Sequence, residues 1–269
     1  MELESVSCRV PTRAPSGQTH AYVLGSEDAV LGSEGALLVD PAARVDGLDA
    51  LADGVGHVAL THHHPDHVGA VAHYAEATGA TVWCRVGREA DFEDATGIEP
   101  DRTLAGGTTI ETSGGTVEVI DTPGHAPEHV GFRFPGAEGD EYLVGDLAVA
   151  EGSVVVGHPS GDMRAYVSSL RRLWARDPPR LHPAHGPTIE DPRGTCRRLI
   201  DHRRDREERV LGAVRDGAAT VPEITDAAYE KDLSGVRGLA EATVRAHVEK
   251  LRVEGHLAWD GERARAVLP

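Results

Sequence analysis

The chain has 269 residues, 40% of them hydrophobic, which is enough apolar material for one large domain and a smaller one. Its formal net charge is −17, from 44 acidic and 27 basic side chains, so bulk charge gives it no track for a polyanion. It contains neither a run of about 18 apolar residues nor a basic stretch leading into an apolar one, so neither a membrane span nor a secretion signal is expected.

In chain order, the first informative element is Ala36-Leu37-Leu38-Val39, a short apolar run ending at Asp40. Asp40 precedes Pro41 and fits a helix N-cap. A second run, Val58-Ala59-Leu60, opens onto Thr61-His62-His63-His64-Pro65-Asp66-His67, which packs four histidines and an aspartate into one turn. Imidazole nitrogen and carboxylate oxygen are the ligands that zinc and its transition-series neighbours prefer. A period of two puts His62 and His64 on one side of an extended segment and turns His63 away. Pro65 turns the chain, so Asp66 and His67 can face a second ion. One loop can then serve two metals about 3.5–4 Å apart, the spacing of hydrolytic two-metal sites. A purification tag would sit at a terminus and lack an aspartate at a fixed place. A helix-like segment, Val68 to Ala77, follows.

Three later segments repeat the theme of an apolar strand leading to a metal-competent residue at a turn. Val117 to Ile120 leads into Asp121-Thr122-Pro123-Gly124-His125, Tyr142 to Val144 into Gly145-Asp146, and Arg180 to His182 into Pro183-Ala184-His185-Gly186-Pro187. Ligands at several strand ends, beside Gly and Pro turns, are what a site on the rim of a sheet requires. His129, four residues after His125, reads as a satisfied surface histidine in preference to a partner of the site. His158, in Gly157-His158-Pro159-Ser160-Gly161-Asp162, is a candidate substrate contact on a turn, and Asp162 reads as the N-cap of a helix through Trp174.

These segments, in this order, resemble the metallo-β-lactamase superfamily across the N-terminal portion. The resemblance implies an α+β fold, a four-layer αβ/βα sandwich with a dinuclear site at one edge of the paired sheets. It implies His62, His64 and His125 on the first metal, Asp66, His67 and His185 on the second, and Asp146 bridging the two. Asp40 matches the family's aspartate that orients a ligand histidine, a reading that stands beside the N-cap one. His20 falls where the family's N-terminal strands approach the site, as a cleft lining or as core or edge packing. A bridging aspartate looks like the hydrolase branch of glyoxalase II and the nucleases, and argues against antibiotic cleavage. The implied chemistry is hydrolysis by a metal-bridging hydroxide between two Zn2+ ions, with Mn2+ or Fe2+ as alternatives. Asp66 and Asp146 would be the catalytic carboxylates, Asp66 passing the proton to the leaving group.

The C-terminal part has a different composition. Residues 1–186 hold 28 acidic and 12 basic side chains, a balance of −16, and residues 187–269 hold 16 and 15, a balance of −1. With the turn signals between Pro187 and Gly194, this predicts a catalytic domain over 1–190 and a helical domain over 191–269. Asp201 to Arg215 reads as a charged helix, Thr220-Val221-Pro222-Glu223 as a capping box opening a helix toward Tyr229, and Leu239 to Glu254 as a third helix stopped by Gly255. Leu257-Ala258-Trp259 and Arg265-Ala266-Val267 flank a hairpin signal, Asp260-Gly261. Three helices and a β-ribbon make a small winged-helix domain. Its third helix mixes Arg245, His247, Lys250 and Arg252 with Glu241, Glu249 and Glu254, so DNA binding is not expected.

The two parts together resemble the lactamase β-like protein 2 group, on Gly145-Asp146, Tyr166-Val167-Ser168-Ser169-Leu170, Pro183 to Pro187 and Asp201-His202-Arg203. The resemblance implies a phosphodiesterase acting on single-stranded RNA. A thioester hydrolase of the glyoxalase II type is the alternative, and an iron-dependent sulfur dioxygenase a further one. His20 stands where that group usually has a polar amide, which bears on the substrate more than on the metals. Cys8, Cys84 and Cys196 lie outside any paired spacing and read as reduced thiols of a cytoplasmic protein. The acidic excess, with Lys231 and Lys250 as the only lysines, resembles proteins of salt-loving microbes. Oligomeric state is left open.

Overall fold

The computed structural model describes residues 1–26, 35–230 and 232–267. They form two compact units. The first comprises Met1–Thr122, Glu128–Gly152 and Asp177–Arg193, and the second Pro123–Pro127, Ser153–Arg176 and Gly194–Pro269.

The first unit holds two sheets. One runs in chain order through β1 (Glu2–Arg9), β2 (Gln18–Gly25), β3 (Ala36–Val39), β4 (Val55–Ala59), β5 (Thr81–Arg85) and β6 (Arg102–Leu104). Its first three strands pair antiparallel and the rest parallel. The parallel strands need crossovers, which carry the short helices α1 (Asp46–Asp49), α2 (Pro65–Val68), α3 (Val71–Thr78) and α4 (Glu89–Thr96). The other sheet contains β7 (Thr109–Thr112), β8 (Gly115–Asp121), β9 (Val130–Pro135), β10 (Asp140–Gly145) and β11 (Leu181–Pro183), in the order β11-β10-β9-β8-β7. Only β10 and β11 pair parallel there.

Strand alternation builds two cores from one sheet. Ala36, Leu38, Val58 and Val82 face Val71, Tyr74 and Phe92 of the helices. Leu37, Val39, Ala59 and Trp83 face Val117, Val119, Phe132 and Phe134 of the second sheet. All four residues of β3 are buried, as a strand covered on both faces requires. Each buried Leu or Phe contributes about 1.5–3 kcal/mol, and together they fix the strand ends from which the candidate ligands project.

The helix expected over Val68 to Ala77 is α3, which starts at Val71; the separate turn α2 precedes it and shares only Val68 with the expected span. The break has a cause. Ala70 N donates to Pro41 O at 2.9 Å, and a Cβ on Gly69 would lie 2.4 Å from Ala42 O. The strand-end backbone at Pro41–Ala42 thus takes the hydrogen bond that a continuous helix would have used.

In the second unit, α5 (Met163–Arg176) buries Met163, Tyr166, Val167, Leu170 and Leu173 on one helical face. Asp162 Oδ1 accepts from the backbone of Arg164 and Ala165 at 2.8 and 3.0 Å, the expected cap. Helix α6 (Pro192–Arg215) begins nine residues before the predicted Asp201. Pro192 and Gly194 read as breakers but sit in its first turn, where proline lacks only an N–H that would be unpaired anyway. Then come α7 (Val221–Ala228), α8 (Arg237–Val253) and the antiparallel pair β12 (Leu257–Trp259) and β13 (Ala264–Ala266). Val210, Val214, Ile224, Val244, Val248, Leu251 and Leu257 join these elements in one core. Thr220 and Glu223 form the expected capping box, and Gly255, at φ +79°, follows the end of α8. Among the described residues, no helix is long and apolar enough to cross a membrane.

Candidate metal centre

Six of the seven predicted ligands converge within the first unit, at the C-terminal ends of its strands. After β4 the chain stays extended through His64 (φ −66°, ψ 148°), then Pro65 starts α2. The rings of His62 and His64 stand 4.5 Å apart and nearly perpendicular, with His62 Nε2 2.9 Å from His64 Nδ1. The single turn of α2 swings His67 back, so its ring lies 4.1 Å from that of His62. His63 points the other way, its ring edge-on to Phe92 at 5.6 Å, as alternation predicts.

Two three-residue groups form here. One ligand atom each from His62, His67 and Asp146 lie within 4.8 Å of one another, and so do those from Asp66, His67 and His185. His185 Nε2 is 3.3 Å from Asp146 Oδ1 and 3.6 Å from Asp66 Oδ2.

Backbone and side-chain partners aim these groups. Asp40, in the left-handed region at φ +53°, accepts from Thr61 N on Oδ1 at 2.7 Å. Its Oδ2 accepts from Thr61 Oγ1 at 2.7 Å and from His67 Nδ1 at 2.9 Å. Thr61 spends its one hydroxyl proton on Asp40, so its oxygen is left to accept from His62 Nδ1, 3.1 Å away. One carboxylate therefore sets both histidines with their Nε2 atoms facing inward, and of the two readings of Asp40 the orienting one matches this geometry. His185 Nδ1 donates to Gln18 O at 2.9 Å, which likewise presents Nε2.

Asp146 follows Gly145, which has φ +48°; a Cβ there would lie 2.7 Å from both His129 Nε2 and Thr61 Cβ. Only glycine lets the end of β10 approach so closely. His129 is buried, and the surface role expected for it is corrected. Its Nε2 accepts from Asp146 N at 3.0 Å and its Nδ1 bonds Thr122 Oγ1 at 2.8 Å, so it holds the backbone of a candidate ligand. Thr12 was also unforeseen; its hydroxyl donates to Asp66 Oδ2 at 2.5 Å.

His125 belongs to the second unit. There its Nδ1 donates to Val155 O at 2.7 Å, again leaving Nε2 for a ligand role. His158 pairs with Glu249 at 3.2 Å. His20 is half-buried on β2, an interior strand; its Nδ1 lies 3.2 Å from Ser7 Oγ and its backbone N donates to Ala184 O at 2.8 Å, next to the candidate ligand His185.

The donors suit a divalent metal. His67 Nε2 is fully buried and has no hydrogen-bond partner among the described residues, although it points into a cluster of carboxylates and imidazoles. Burial alone would lower the His67 pKa, but Asp40, Asp146 and Asp66 outweigh it and raise the value to about 9. Burial also opposes charge on His185, and Asp146 more than offsets it, so that pKa is raised too. The juxtaposed carboxylates favour positive charge at these imidazoles, the electrostatic setting that a divalent cation requires.

Comparison with known proteins agrees. The profile of the Metallo-beta-lactamase superfamily matches residues 14–185. A Beta-lactamase-like protein 2 homolog of Drosophila melanogaster is 30% identical over 213 residues, 74% of this chain and 69% of that protein. A Hydroxyacylglutathione hydrolase of Methylococcus capsulatus is 33% identical over 198 residues, 69% of this chain and 72% of that one. The crystal structure of a metallo-beta-lactamase family protein from Thermus thermophilus superposes with a TM-score of 0.77 at 23% identity, covering 98% of each chain, which is a likeness of fold. Paired mixed sheets with flanking helices, a cluster of metal-competent His and Asp residues and the matching profile lead to one conclusion: the chain belongs to the metallo-β-lactamase superfamily of metal-dependent hydrolases.

Proposed function

We propose that this protein hydrolyses a small thioester at a dinuclear metal centre. His62, His64 and His125 would hold one ion, Asp66, His67 and His185 the other, and Asp146 would bridge them. The observation that carries the reading is the convergence of imidazole and carboxylate donors around the buried Nε2 of His67, which makes no hydrogen bond among the described residues. Two bound ions, Zn2+ with Mn2+ or Fe2+ as alternatives, would polarise the carbonyl and make water nucleophilic near neutral pH. The chain's own groups do the rest. Asp40 and Thr61 keep the Nε2 atoms of His67 and His62 turned inward, and His129 holds the backbone of Asp146. Asp66, braced by Thr12, carries the proton to the leaving thiolate.

A thioester moves ahead of RNA because residues 1–186 carry a balance of −16, which repels a polyanion, and because a hydroxyacylglutathione hydrolase is 33% identical. Single-stranded RNA is the second reading, favoured by the likeness to the Beta-lactamase-like protein 2 homolog over 74% of this chain. The test offers the zinc-loaded protein, in concentrated KCl, a hydroxyacylglutathione and, separately, end-labelled single-stranded RNA. The control is the double variant Asp66→Ala, His67→Ala. Thiol release lost in the variant supports the thioester reading. RNA cleavage lost in the variant, without thiol release, replaces it with the second. One iron per chain with oxygen uptake would indicate the sulfur dioxygenase chemistry instead.

The same proposal includes a catalytic domain over 1–190 and a winged-helix domain over 191–269 that binds no DNA. The acidic surface and scarcity of lysine suit the cytoplasm of a salt-loving microbe, and activity is expected to peak in multi-molar KCl.

A further inference from the structure

The second unit contains a buried cation that the proposed chemistry does not use. Arg203, on α6, is 4% exposed. Among the described residues it has no carboxylate partner, and its Nε is buried without a hydrogen bond. A guanidinium removed from water without an ion pair is costly, and a packed core would favour an apolar residue there. What it does hold is specific. Its Nη2 donates to Val154 O, and its guanidinium carbon lies 5.1 Å over the ring of Tyr166.

Both partners are walls of the seat of His125. Val154 precedes Val155, whose carbonyl accepts from His125 Nδ1 at 2.7 Å. Tyr166 abuts Gly124, the residue before His125: at φ +135°, a Cβ on Gly124 would fall 2.2 Å from Tyr166 N. Gly124 O accepts from Asp162 N at 2.9 Å, and Pro123 O from Ser169 Oγ at 2.9 Å, so α5 and its cap grip the turn directly. The loop of Val154 and Val155 is tied to α8 as well, through His158 N to Ala242 O at 3.0 Å.

We propose that Arg203 is a positioning residue for His125: from the C-terminal helix α6 it clamps both the loop that accepts the His125 Nδ1 proton and the tyrosine that backs the Gly124 turn. The planar guanidinium suits both tasks at once, stacking on an aromatic face while donating in its own plane. The C-terminal helices thereby contribute to a metal ligand without supplying one. The inference rests on the reading of His125 as a ligand.

The test measures metal content and chelator competition on the full-length protein, loaded with zinc and then with cobalt. Variants are Arg203→Met, Arg203→Lys and, as reference, His125→Ala. Wild type is expected to hold two ions and His125→Ala to lose one tightly bound ion. Arg203→Met is expected to weaken that same ion about tenfold, the low end of what removing an orienting partner costs, and leave the other unchanged. Its cobalt absorption should change in the band lost from His125→Ala. Arg203→Lys keeps the charge and guards against a variant that fails to fold; it should fall between Arg203→Met and wild type. Wild-type affinities and an unaltered cobalt spectrum in folded Arg203→Lys or Arg203→Met would overturn the inference while leaving the ligand assignment intact. If His125→Ala itself keeps both ions, the ligand assignment fails, and this inference falls with it.

Discussion

The turn at His62–His67 and the turn at His125 are held by different physics. The first hangs on a charge: Asp40 accepts from Thr61 N, Thr61 Oγ1 and His67 Nδ1 while almost fully buried. The second hangs on backbone, with charge one step removed: Val155 O accepts from the ring, Gly124 fits its chain against Tyr166, and Arg203 reaches this seat only through Val154 O and the Tyr166 ring. A charge-held turn should respond to protons and to loss of one carboxylate. A backbone-held turn should respond to shape.

The largest effect is expected from Asp40→Ala. It strips a buried ion pair of one partner, which typically costs about 3–5 kcal/mol, and it frees both His62 and His67 to rotate. Urea unfolding of the metal-free protein measures the first effect and metal affinity the second. Gly124→Ala comes next, at about 3 kcal/mol, because φ +135° and the Tyr166 backbone both oppose a side chain. Thermal melting should register it at any pH, and a change below about 0.5 kcal/mol would remove the contrast between the two turns.

The pH dependence follows in size. In the metal-free fold the His67 pKa is raised from its ordinary value of 6.5 to about 9. Its contribution is therefore complete below about pH 6.5 and fades as pH rises to about 9. Metal binding should run the other way, tightening across the same window as the proton leaves. Unfolding midpoints at pH 6.5 and 9, with and without zinc, should cross. The smallest effect, about 1 kcal/mol, is expected from Thr220→Ala, which removes the cap of α7 and touches neither turn.

Much of the donor cluster was legible because its imidazoles and carboxylates are close in sequence or sit at strand ends beside Gly and Pro. The orienting groups were less so. Thr12 and Asp66 are 54 residues apart, and Gln18 and His185 167 apart, so no local pattern announces either bond. His129 was misjudged because spacing cannot tell a buried ring with two partners from a solvated one; a hint lay in its place one residue before β9, where the chain re-enters the sheet. Asp40 was ambiguous since short acidic residues favour both caps and left-handed corners. In the helical part, the capping box and the hairpin were read correctly from local chemistry, whereas the start of α6 was misplaced because Pro192 and Gly194 are tolerated in a first turn.

Asp40 Oδ2 is shared between Thr61 and His67, and through Thr61 it reaches His62. That sharing limits how the protein can be retuned. If His67 and His62 bind metal as proposed, an engineer who shifts this carboxylate to suit a larger ion under His67 will also tilt His62, so metal preference could not be adjusted one residue at a time. Altered selectivity in this loop should come from paired changes at positions 40 and 61, and single substitutions at either should lose metal before they exchange it.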